Sequence, residues 1–166
     1  MDELERAKRP TSKLAGPYGH PFHPVLVAVP IGAWVASVVF DLVALISTDE
    51  ASGFAEGAYW LIGIGIIGAL LAAVFGLMDL LAIPRGTKVF RTDLTHMTLN
   101  LTVVALFVIS FAVRAAQGYE EASVAGFVLS LIAIAILSAS GWLGGQLAYH
   151  YGVRVAAEST QREGYH

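Results

Sequence analysis

The segment His20-Pro21-Phe22-His23-Pro24 sets two imidazoles immediately ahead of a long apolar run that begins at Val25. Imidazole nitrogen is a common ligand for haem iron, copper and zinc, and a carboxylate can orient such a ring from behind. Further groups of these types stand far apart in the chain, at Asp79, Asp93, His96 and His150. With no cysteine in the sequence, thiolate catalysis, disulfides, iron–sulfur ligation and cysteine-based zinc sites are excluded. Whether the remaining groups can act together depends on the elements that position them.

Those elements are set by hydropathy. Of 166 residues, 56% are hydrophobic and only 14% charged, far too apolar for an ordinary soluble domain of this size. The composition specifies an integral membrane protein. The net charge of −3 and the absence of a dense basic tract with interleaved aromatics give no footing for nucleic acid. Arg6, Lys8, Arg9 and Lys13 resemble the charged start of a secretory signal, but the run from Val25 to Ile46 is longer than a typical signal core and lacks a distinct small-x-small site. It reads as a retained spanning helix.

Residues 1–19 form a polar arm rich in proline and glycine, and residues 156–166 a polar tail. Between them, over 20–155, four apolar stretches at about 24–47, 57–83, 94–116 and 122–149 each approach or exceed the roughly 20 residues that span a bilayer core. Short connections make neighbours antiparallel, so the expected fold is all-α, an up-down bundle of four transmembrane helices. Pro24 suits a first helical turn, Thr92 is placed to cap the third helix with Asp93 behind it, and Pro84 with Gly86 stops the second.

Arg6, Lys8, Arg9, Lys13, Arg85, Lys88, Arg91, Arg154 and Arg162 fall on one side of such a bundle. The other side carries Arg114 alone beside Asp49, Glu50, Glu56, Glu120 and Glu121. An excess of Lys and Arg marks the cytoplasmic side, so both termini are expected in the cytoplasm and the protein in a bacterial cytoplasmic membrane.

Helical spacing gathers His23, Pro30, Trp34, Ser37 and Asp41 on one face of the first helix, and Asp93, His96, Asn100, Phe107, Ser110 and Arg114 on one face of the third. Polar groups in lipid turn inward, so these stripes are expected to face each other or a shared cavity. Asp41 and Arg114 each lie 18 positions beyond His23 and His96, about 27 Å along a helix. They are therefore expected to pair and hold the two helices in register. Gly65, Gly68, Ala72 and Gly76 on the second helix, and Gly141 with Gly145 on the fourth, read as small-residue faces for close packing.

With this topology His20, His23, Asp79, Asp93, His96 and His150 all sit at the cytoplasmic end. The leading expectation is a haem b or transition-metal site in a redox-linked role, with His20, His23 and His96 as ligands and Asp79 or Asp93 beside them. Its partners would be the lipid bilayer and a membrane redox protein or a second copy of the chain. The plainer alternative is an accessory bundle whose histidines merely meet the membrane interface. Passage of protons or small ions along the stripes ranks last, because the middle of each stripe is apolar. No nucleophile elbow, Walker loop or dinucleotide fingerprint is present, and the chain does not repeat itself strongly enough to suggest inverted transporter halves.

Gly19-His20-Pro21-Phe22-His23-Pro24-Val25-Leu26-Val27, Pro30-Ile31-Gly32, Asp41, Asp79, His96 and the closing Gly141-Trp142-Leu143-Gly144-Gly145-Gln146-Leu147-Ala148-Tyr149 together resemble a bacterial four-helix membrane family, domain of unknown function 2231. The resemblance spans Gly19 to Val155. It implies four spanning helices in the cytoplasmic membrane and brings no established activity. Some relatives are joined to Rieske-type iron–sulfur domains, which implies redox chemistry by association. In the family a histidine directly precedes the glycine of the closing segment, whereas here Tyr151 precedes Gly152 and His150 stands one place earlier.

Overall fold

The computed structural model describes residues 7–9, 16, 20–47 and 51–165. Most of the polar arm, the acids Asp49 and Glu50, and His166 lie outside them. Among the described residues there is no strand, and four helices are long and apolar enough to cross a membrane. They are α1 (His23–Ile46), α2 (Ala51–Ala82), α3 (Lys88–Gln117) and α4, which runs as Val124–Gly145 and continues through one π-helical turn, Gln146–His150. A short helix, α5 (Glu158–Glu163), follows.

Each boundary has a local cause. In α1, Pro30 has no N–H to give the Leu26 carbonyl, and the helix is interrupted at Val27 before resuming at Ala28. The second helix begins at Ala51, ahead of the expected start near 57. Gly53 and Gly57 weaken the sequence signal there, but Phe54 packs edge-on against Phe40 of α1 with ring centroids 5.3 Å apart and extends the helix. The third helix corrects the expected cap. Gly86 at φ +83° turns the chain in the left-handed region open to glycine, and Thr87, not Thr92, accepts the Phe90 N–H at 3.1 Å. Thr92 lies one turn inside, its hydroxyl donating to the Lys88 carbonyl. Ser123 caps α4 in the same manner, accepting from Gly126 N–H.

Sequence neighbours pack side by side, and α4 closes the ring against α1, so α1 and α3 stand on one diagonal of the bundle and α2 and α4 on the other. The dry centre is Trp34, Ile62, Val103, Phe107 and Ala133, with Trp34 stacked on Phe107 at 4.2 Å and 10° between planes. The small-residue face of α2 fits α1 closely. A Cβ at Gly65 would run into the Trp34 indole, and one at Gly68 would stand 2.8 Å from Val29 Cγ1. Gly141 is different: among the described residues a Cβ there would meet nothing within 4 Å, so the expected close packing at Gly141 is not made among them. Outward-facing leucines, isoleucines and valines on all four helices give the bundle the lipid-compatible surface that a spanning protein needs.

Candidate functional site

His23 of α1 and His96 of α3 come from opposite corners of the bundle and meet near its centre, with ring centroids 6.5 Å apart and planes at 89°. Each ring lies on a glycine of the next helix. Extra carbon at Gly76 would stand 3.0 Å from His23 Cε1, and at Gly144 3.1 Å from His96 Cε1. Each also donates from Nδ1 to the carbonyl one turn before that glycine, His23 to Ala72 at 2.9 Å and His96 to Ser140 at 2.8 Å. A carbonyl only accepts, so Nδ1 of each ring carries a proton, and in the neutral form of either ring Nε2 keeps its lone pair. At His96 that lone pair faces the Asn100 amide at 3.1 Å, while the same amide nitrogen donates to the His96 carbonyl. Ser140 Oγ closes the arrangement by donating to the His96 carbonyl at 3.1 Å.

The parallel between the two histidines extends along the whole bundle. The offset of 73 that separates Asp41 from Arg114 also carries His23 to His96, Trp34 to Phe107 and Ser37 to Ser110. On the partner helices an offset of 68 carries the buried residues Ala58, Ile62, Gly65, Ala72 and Asp79 of α2 to the buried residues Gly126, Ser130, Ala133, Ser140 and Leu147 around α4. Thus α1–α2 and α3–α4 are two hairpins of the same hand, related by an approximate two-fold axis along the bundle. The three pairs that join α1 to α3 across the bundle, His23–His96, Trp34–Phe107 and Asp41–Arg114, are each a pair of equivalent positions.

Three of the five site candidates depart from a simple ring of ligands. Asp79 is taken by Arg154, whose Nε donates to its Oδ1 at 2.7 Å. Asp93 is buried, close enough to Asp79 for their carboxylates to repel, and accepts no hydrogen bond among the described residues. His20 is exposed and joins no such bond either. His150 is exposed too, its ring edge-on to that of Tyr151 at 4.8 Å. Among the described residues no three His, Asp or Glu side chains converge as a metal-ligand set.

Arg154, which in the sequence is only one of the charges that set the topology, is brought by the fold to Asp79. The π-helical turn lengthens the end of α4 by bonding Tyr151 N–H to the Gln146 carbonyl. Gly152 and Arg154 then turn the chain with φ of +70° and +59°, which carries the guanidinium back to Asp79. The available signal was Asp79 itself, an acid inside an apolar run with no base at helical spacing to satisfy it.

The far end is closed by a different pair. Arg114 grips Asp41 with both terminal nitrogens, at 2.6 and 2.7 Å, and both side chains are at most 3% exposed. Arg114 Nε donates to Ser110 Oγ, which donates to the Gly126 carbonyl at 3.0 Å. The pairing expected from equal spacing is therefore formed, in the bidentate geometry that makes such bonds strong. Between the two ends the core is filled by the Trp34–Phe107 stack and its apolar neighbours Ile62, Val103 and Ala133.

Compared with known proteins, residues 19–157 match the model of a family described as "Predicted membrane protein (DUF2231)". No curated protein and no solved structure matches the chain.

Proposed function

Since the chain belongs to the DUF2231 family of predicted membrane proteins, we propose that its histidine end binds one metal atom between His23 and His96 and serves a redox-linked step at the membrane. The observation that carries this reading is the matched posture of two equivalent imidazoles. Each is fixed through Nδ1–H to a helix carbonyl, the arrangement that orients a metal-ligating histidine and leaves Nε2 to bind. Their 6.5 Å centroid separation is close to two metal–nitrogen bonds of about 2 Å plus about 1 Å within each ring. Haem iron suits a site with only two protein ligands, because the macrocycle supplies the other four. Asp79 and Asp93 then act on the charge of the site rather than as ligands, and His20 stands aside as an outer group.

The positive-inside bias supports an orientation in a bacterial cytoplasmic membrane with this end and both termini in the cytoplasm, where a membrane redox partner or a second copy would meet it. The test is an absorption spectrum with elemental analysis on detergent-purified protein after haem or metal supply, repeated for His23→Ala. The expected result is a stoichiometric metal, with a Soret band if it is haem, lost in the variant. Colourless, metal-free protein under all supplies overturns the reading.

One observation favours an accessory bundle without cofactor. Asn100 already satisfies Nε2 of His96, so ligation requires that amide to withdraw. In that reading His23→Ala with His96→Ala leaves partner binding unchanged.

A further inference from the structure

Three polar donors beside the cytoplasmic-side turn have no acceptor among the described residues. Nη1 and Nη2 of Arg154 and the hydroxyl of Tyr151 are all buried without a hydrogen-bond partner, and the Arg154 side chain is only 5% exposed. Orphaned donors of this kind are costly, the more so in a charged group. The carboxylate of Asp79 holds Nε, so it fixes the plane of the guanidinium while its two parallel terminal N–H groups stay buried without an acceptor among the described residues. Those groups are the fork that matches a phosphate or carboxylate in bidentate fashion. The turn is locked from both sides, by the positive φ at Gly152 and Arg154 and by the Arg154 N–H donating to the Ala7 carbonyl at 2.9 Å. Lys8 brings a second cation to the same turn, its Cε 3.6 Å from the position of a Cβ on Gly152.

We propose that Arg154 and Tyr151 form an oxyanion site for a phosphate group, taken from a phospholipid headgroup or from free phosphate. Asp79 offsets one positive charge and Asp93 lies near it, so selection comes from directed donors rather than net charge. The site stands just past the last residue of α4, His150, at the level where headgroup phosphates lie. It does not depend on the histidine pair.

The experiment uses the purified chain in a neutral maltoside detergent. Inorganic phosphate binding is followed by calorimetry, and phosphatidylglycerol against phosphatidylcholine retention by native mass spectrometry. Wild type is expected to bind one equivalent of phosphate, of phosphatidylglycerol, or of both in competition. Phosphatidylglycerol alone identifies the headgroup as the source, and phosphate alone the free ion. Arg154→Lys, which keeps the charge and loses the fork, is expected to weaken binding at least about tenfold, and Tyr151→Phe about threefold. If Arg154→Lys does not fold, Tyr151→Phe decides, since it leaves the Asp79 contact intact. No binding of either probe to wild type means that water fills the donors and overturns the site. Unchanged binding in Tyr151→Phe, or loss only on neutralising Arg85, Lys88 and Arg91 together, assigns it to general rim charge and also overturns it.

Discussion

Each end of the bundle carries a buried acid–arginine pair, Asp41 with Arg114 and Asp79 with Arg154, yet one is closed and the other open. At the Asp41 end every donor of Arg114 that the geometry reveals has an acceptor, Asp41 twice and Ser110 once. At the His23 end Asp93 accepts nothing among the described residues, and three donors at Arg154 and Tyr151 are orphaned. A satisfied charge pair in lipid holds helices together, whereas buried donors without acceptors are costly and favour any group that supplies one. The difference is between a satisfied end and an unsatisfied one within one pair of hairpins.

It predicts unequal costs. Arg114→Gln or Asp41→Asn leaves an uncompensated buried charge, and each single variant is expected to lose about 3–5 kcal/mol of stability. The double variant should recover much of that loss, read as a double-mutant cycle from thermal or denaturant unfolding in detergent. Absence of coupling would remove the structural role of the pair. Next in size, Gly65→Ala drives a methyl into the Trp34 indole and is expected to cost about 1–3 kcal/mol. Gly141→Ala meets open space and should be neutral or slightly stabilising, since alanine is the better helix former. Equal effects of the two alanines would mean that Gly141 packs on something outside the chain.

The sequence made the closed end easier to read than the open one. Equal spacing of Asp41 and Arg114 from His23 and His96 sufficed, because a straight helix converts position into depth. The stripes also brought His23 to His96, and the spans followed from hydropathy. Arg154 escaped because its contact depends on a π-helical turn and two left-handed residues, none of which has a periodic signature. The cap at Thr87 was displaced in the reading by an equally good threonine five residues on. The hairpin correspondence is carried by burial and by few identities, His23 with His96 and Ser37 with Ser110 among them, so it became visible only once the buried faces were known.

A change smaller than the loss of the Asp41–Arg114 pair tests the open end most sharply. Asn100→Ala removes the amide that faces Nε2 of His96 and donates to the His96 carbonyl, and each lost hydrogen bond is worth about 1 kcal/mol. A purely structural rim therefore predicts a modest drop in stability and nothing else. Metal binding between the imidazoles predicts the same drop in the metal-free protein together with tighter metal uptake, because the lone pair no longer has to be freed. The two are told apart by unfolding midpoints with and without metal or haem, since a ligand that binds only the folded state raises the midpoint in proportion to its affinity. A larger metal-induced rise in Asn100→Ala than in wild type, abolished by adding His23→Ala, would make the open end a binding site; equal midpoints with and without ligand would make it a second, weaker version of the closed one.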